Sequence, residues 1–165
     1  MSDEVRVPVE RESDIVTARQ RGREMAAEIG FTGSDLTIIA TAISEVTRNI
    51  VIFAGDGEIV LRGGYDRDRR GIVIVARDNG PGIADVELAM QDGYSTTGGL
   101  GLGLPGAKRL MDEFQIVSEV GKGTTVTLAI FREGNKEPME IKIVRDTINI
   151  PTLDTELRKD GIFVI

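Results

Sequence analysis

Apolar positions along the chain change their period several times, and each change predicts an element. Val5, Val7 and Val9 alternate with other residues, the period of a short half-buried strand. From Ser13, a residue suited to cap a helix, Ile15, Ala18, Gly22, Met25, Ala26 and Ile29 recur at helical spacing, and Gly30 ends the run. A second helix is expected from Ser34, with Leu36, Ile39, Ile43, Val46, Ile50 and Phe53 as its core seam and Gly55-Asp56-Gly57 as its stop. Glu58 to Tyr65 and Gly71 to Asp78 are β-rich and joined by the charged loop Asp66 to Arg70, which predicts a hairpin. A glycine-rich region from Gly80 to Gly106 follows, with a short helix expected around Asp85 to Met90. Gly103 to Asp112 reads as helical, and Phe114 to Glu119 with Thr124 to Phe131 as a hairpin across Gly121-Lys122-Gly123. Strands paired in hairpins, with helices in separate blocks, predict an α+β two-layer sandwich.

Residues 1–132 form one expected domain, and 133–165 an extension of different character. Met139, Ile141 and Ile143 alternate there, Pro151 interrupts a second apolar patch, and the chain ends on Ile162-Phe163-Val164-Ile165. Four consecutive apolar residues predict that the end is ordered against something. A packed structural extension is the favoured expectation; strand addition at the sheet edge, or to a partner, is the alternative.

Composition narrows the chemistry. The 165 residues include no cysteine and no histidine, which removes disulfides, thiolate metal sites, imidazole bases and a phosphohistidine. A net charge of −7 disfavours nucleic acid as a partner. No apolar run is read as approaching the roughly 20 residues that cross a bilayer. Met1-Ser2-Asp3-Glu4 does not resemble a signal peptide, so no membrane association and a cytoplasmic location are expected.

Four features carry candidate chemistry. Glu45 and Asn49, four apart on the second helix, share a face beside the seam with Ile38, Ala42 and Ile52. The amide oxygen suits Mg²⁺ and the carboxylate suits removal of a hydroxyl proton, although such a pair is also ordinary on a solvated helix face. Asp78-Asn79-Gly80-Pro81-Gly82 follows a strand; it is either a plain turn or a site where the carboxylate accepts the exocyclic amine of adenine. Gly98-Gly99-Leu100-Gly101-Leu102-Gly103 opens a helix and can aim backbone N–H groups at phosphate. Gly101, Gly103 and Gly106 also match a dinucleotide-binding spacing, but no strand leads into them and no βαβ unit surrounds them, so a nicotinamide enzyme is rejected. Gly121-Lys122-Gly123-Thr124-Thr125-Val126 is the fourth feature, readable as a simple hairpin turn.

In this order the four features resemble the Bergerat-fold (GHKL) ATPases over about Val5 to Arg132. The stretches Thr41 to Glu45, Asp92 to Thr96 and Leu104 to Phe114 resemble the anti-sigma-factor serine kinases and, among them, the RsbT-like switch kinases of stressosome pathways. The resemblance implies a mixed, mostly antiparallel sheet covered by helices on one face. It implies ATP and Mg²⁺ as cofactors, Glu45 as catalytic base, Asn49 as Mg²⁺ ligand and Asp78 at the adenine amine. Gly80 and Gly82 would flank the base, Thr125 would support it, and Gly99, Gly101 and Gly103 would hold the phosphates. The implied partners are STAS-domain proteins, as substrate and scaffold, and a serine phosphatase; a homodimer is left open. A non-catalytic nucleotide-binding adaptor is the main alternative. A gyrase- or MutL-type machine would need transducer domains for which 165 residues leave no room.

Overall fold

A computed structural model describes residues 4–91, 103–132 and 163–164. The elements in order are β1 (Val5–Val9), α1 (Ser13–Ile29), α2 (Ser34–Asn49), a π-helical turn (Ile50–Ala54), β2 (Gly57–Asp66), β3 (Arg69–Asp78), α3 (Val86–Ala89), α4 (Gly103–Leu110), β4 (Glu113–Glu119), β5 (Gly123–Phe131) and β6 (Phe163–Val164). The six strands form one sheet in the order β1-β2-β3-β5-β4-β6. Every pairing among the described residues is antiparallel. The α+β sandwich is as expected, and β6 lies at the β4 edge, with Phe163 opposite Ser118 and Val164 opposite Val117.

Alternation on the strands supplies the core. Ile59, Leu61, Ile72, Ile74, Ile116 and Leu128 point to one face and are fully buried. There they meet Ala18, Ala26 and Ile29 of α1 and Ile39, Ile43 and Val46 of α2. The α1 seam is as predicted. Its end is a left-handed Gly30, whose N–H returns to the carbonyls of Ala26 and Ala27.

Several details differ from the sequence reading. Ser13 is the first helical residue and makes no capping bond. The Asp14 carboxylate instead accepts the N–H groups of Glu10 and Arg11, which lower its pKa. The β2–β3 loop is tighter than Asp66 to Arg70: both strands run on until only Arg67 and Asp68 turn, with Arg67 at φ 58°. Phe53, expected in the seam, lies in the π turn after Asn49 and is 52% exposed, because its stripe there faces the cavity rather than the sheet. That turn also makes Ser34–Ala54 a continuous helix of 21 residues, within which an 18-residue stretch has a mean hydropathy of 1.5. Its length and apolarity reach those of a membrane-crossing segment, contrary to the sequence reading; here half of it is buried, and its seam packs on α1 and the sheet.

The β4–β5 hairpin turns on two glycines with positive φ, Gly121 (83°) and Gly123 (105°). A Cβ on Gly121 would meet open space, whereas one on Gly123 would lie 2.1 Å from the Asp78 carbonyl oxygen. Gly121→Ala should therefore cost only the left-handed backbone strain, about 1–2 kcal/mol. Gly123→Ala adds a clash with backbone that cannot swing aside, and should cost roughly 3 kcal/mol or more. Urea unfolding of the two variants checks the order; equal costs would contradict it.

Candidate functional site

A cavity of about 410 Å³ opens between the end of α2, the loop after β3 and the start of α4. One wall is helical. Val46, Asn49, Ile50, Phe53 and Ala54 line it at steps of three and four, a stripe that the π turn carries past the end of α2. The floor is the sheet, through Ala76, Asp78, Thr124 and Val126. Pro81 to Asp85, Leu88 and Ala89 close one side, and Gly103 and Leu104 the other. Most of these groups are apolar and the polar ones are few, which suits a flat heteroaromatic ligand gripped at defined points.

Asp78 is the best-defined of those points. Its Oδ1 accepts the N–H of Gly80 at 2.9 Å and that of Thr124 at 3.2 Å, across the β3–β5 pair. Burial pushes the carboxyl pKa up, and the two N–H donors pull it partly back. The loop beyond is pinned by Ser118 on β4, a polar residue that is only 1% exposed. Ser118 Oγ accepts the Ile83 N–H at 2.8 Å and pairs with Thr124 Oγ1 at 2.8 Å. Sequence reasoning passes over Ser118; its signal is a hydroxyl at an inward strand position, in step with Phe114 and Ile116.

The remaining predicted residues divide. Asn49 is half-buried on the cavity wall. Among the described residues no three His, Cys, Asp or Glu cluster to hold a metal, so a cation here would rest on the Asn49 amide oxygen, water and ligand phosphate, a donor set that fits Mg²⁺. Gly82 lines the cavity with φ 74°, and a Cβ on it would strike the Glu119 carbonyl. Gly80 does not line it: it packs on Ala54, where a Cβ would come within 2.6 Å, and serves by holding Asp78. Thr125 sits opposite Arg77 on the other face of the sheet, so the threonine at the cavity is Thr124. Alternation decides this, because Thr124 shares a face with Val126 and Leu128. Gly99 and Gly101 lie outside the described residues.

Glu45 is 4% exposed and is not on the cavity wall. Its Oε1 accepts Arg48 Nη1 at 3.1 Å, and its Oε2 accepts the N–H of Gly103, the first residue of α4, at 3.2 Å. Gly103 does line the cavity, so the carboxylate stands one residue behind it. Arg48, whose role the sequence leaves open, thus balances a buried charge.

If Asp78 accepts an adenine amine, as the sequence resemblance implies, that contact has a definite pH sign. Protonation turns the acceptor into a donor, so affinity for an adenine nucleotide should fall on acidification. The fall should begin at a higher pH than an ordinary aspartate would give, because the folded pKa is raised above 3.8. For stability the sign is opposite: the folded chain holds that proton more tightly, so Asp78 costs stability as pH rises from 3.8 through the folded pKa. Asp78→Asn should accordingly keep or raise the melting temperature while weakening ATP binding by about ten- to a hundredfold. Paired calorimetry and thermal unfolding check this; a variant that loses stability and affinity together would contradict it.

Comparison with known proteins identifies the family. Residues 7–130 match the family model of the histidine kinase-like ATPase domain. Serine/threonine-protein kinase RsbT of Bacillus subtilis is 52% identical over 126 residues, which are 76% of this chain and 95% of that protein. Anti-sigma F factor of Geobacillus stearothermophilus is 34% identical, over 67% of this chain and 80% of its own. A crystal structure of the RsbU and RsbW domains of a Mycobacterium tuberculosis protein superimposes with a TM-score of 0.53 at 24% identity, over 84% of this chain and 35% of that one, a likeness of fold. The chain therefore belongs to the histidine kinase-like ATPase family, in the branch that holds the RsbT kinases and the anti-sigma F factors.

Proposed function

We propose that this protein is an ATP-dependent serine/threonine protein kinase that works as a partner switch. It would phosphorylate a hydroxyl of a STAS-domain protein in the cytoplasm and then engage a serine phosphatase. The observation that carries the reading is the arrangement of three groups. Asp78 grips one end of an apolar cavity, Asn49 stands on its wall, and Glu45 is fixed at the start of α4. Kinship with a protein named as a serine/threonine kinase supports it.

In this reading Asp78 accepts the adenine amine, a test that guanine fails because it presents a carbonyl there. Asn49 would hold Mg²⁺, which when bound neutralises charge on phosphate oxygens. Glu45 takes the proton of the acceptor hydroxyl. Arg48 and the Gly103 N–H fix the orientation of that carboxylate, and each oxygen keeps a further lone pair. The acceptor hydroxyl would approach one of those free lone pairs beside Gly103, the cavity residue bonded to Glu45. Phosphoryl transfer asks the protein mainly for positioning and charge neutralisation, and these groups supply both.

A nucleotide-binding adaptor without catalysis is the second reading, and one observation favours it: Glu45 is withdrawn from the cavity wall. Transfer of labelled γ-phosphate from Mg-ATP to a STAS-domain protein separates the two. Glu45→Gln should retain ATP binding and lower transfer by roughly a hundred- to ten-thousandfold. Transfer that survives the substitution would remove Glu45 from its role. ATP binding with no transfer to any STAS-domain protein by the unsubstituted chain would favour the adaptor.

A further inference from the structure

The face of the sheet turned away from the helices is buried, yet no described element lies on it. Val60, Val73, Val75, Ala129 and Phe131 form a second apolar cluster made of strand residues alone, each 0–5% exposed. Thr127 among them is 5% exposed. The sequence carries the same message. Gly71-Ile72-Val73-Ile74-Val75-Ala76 is a continuous buried run, the pattern of a strand covered on both faces, where a sheet open to water on one face would alternate.

Topology indicates what covers it. β5 is antiparallel to β4, and β4 to β6, so β5 and β6 point the same way with β4 between them. Parallel strands need a crossover over one face of the sheet, and about 98% of such crossovers are right-handed. The sheet already contains one. β3 and β4 also point the same way, with β5 between them, and the chain joining them carries α3 and α4, whose Val86 and Leu104 belong to the core on the helix face. β5 points opposite to β3, and both connections step toward the same edge. Two right-handed crossovers related in this way pass over opposite faces. The connection from β5 to β6 therefore falls on the face that α1, α2 and α4 leave free. Residues 133–162 make that connection, and extended they could reach roughly 100 Å, ample to cross a strand about 30 Å long.

We infer that residues 133–162 lie across the back of the sheet as a third layer, held at one end by β5 and at the other by β6. The family match stops at residue 130, so this layer is an addition to the part shared with relatives. It closes the back of the sheet to partner proteins, which are left the helix-bearing face and the two edges of the sheet.

The chain contains no cysteine, so a single Thr127→Cys substitution in the full chain reports on that face alone. Its maleimide labelling, followed on material shown by sedimentation to be monomeric, should be slower than in urea by about a hundredfold or more. Adding Ile141→Asp and Ile143→Asp should raise the rate by more than about tenfold while the circular dichroism of the fold persists. Labelling as fast as in urea, or unmoved by the aspartates, would overturn the inference. Protection that appears only as the chain associates would assign the face to a second copy instead. If the aspartates unfold the chain, Thr127→Cys paired with Ile141→Cys or with Ile143→Cys replaces them. A short bismaleimide should then link the two within one chain, and absence of that link in both pairs would overturn the inference equally.

Discussion

The carboxylate of Asp78 takes the N–H groups of Gly80 and Thr124 on a single oxygen, and much of the site depends on that junction. One bond holds the loop after β3 in its turn, and the other ties the loop to the first residues of β5. Ser118 repeats the device from β4, reaching Ile83 and Thr124. The floor and one side of the cavity are thus fixed by side chains bonding to backbone across three strands. A half-buried carboxylate is a costly way to tie a loop, and its raised pKa records that cost.

On the helical side a different balance operates. Glu45 is nearly out of water, and an isolated carboxylate in that position would be strongly unfavourable. Arg48, one turn along α2, and the amide that opens α4 share the charge between them. The helix N-terminus is a natural place for an anion, so the same groups that make Glu45 tolerable also dock α4 against α2. The start of α4 and the orientation of the Glu45 carboxylate are therefore joined by a hydrogen bond. Anything that draws the start of α4 toward a bound phosphate acts directly on the carboxylate.

Most of the fold is legible from periodicity, because the long helices bury one face and the central strands are continuous apolar runs between turn residues. Ile39, Ile43, Val46 and Ile50 are buried where the helical pattern puts them. The departures arise where local geometry leaves the ideal elements. Periodicity places Phe53 in the seam, but past the end of α2 that stripe faces the cavity rather than the sheet. Thr124 and Thr125 are alike in composition, and only the register with Asp78 tells which one faces the site. Asp78, Asn49 and Gly82 all prove to line the cavity, although each alone also reads as an ordinary turn or helix-surface residue. Ser118 and Arg48 act on other residues rather than on a ligand, and a motif search does not see that kind of role.

Phe53 and Leu88 stand on either side of the cavity mouth, 52% and 40% exposed. Water must order around both while the cavity is open. A flat base that slides between them would release that hydration shell, and the thermodynamic mark of doing so is a loss of heat capacity. The enthalpy of nucleotide binding should then grow more negative with each degree of warming, even though the hydrogen bonds at Asp78 stay the same.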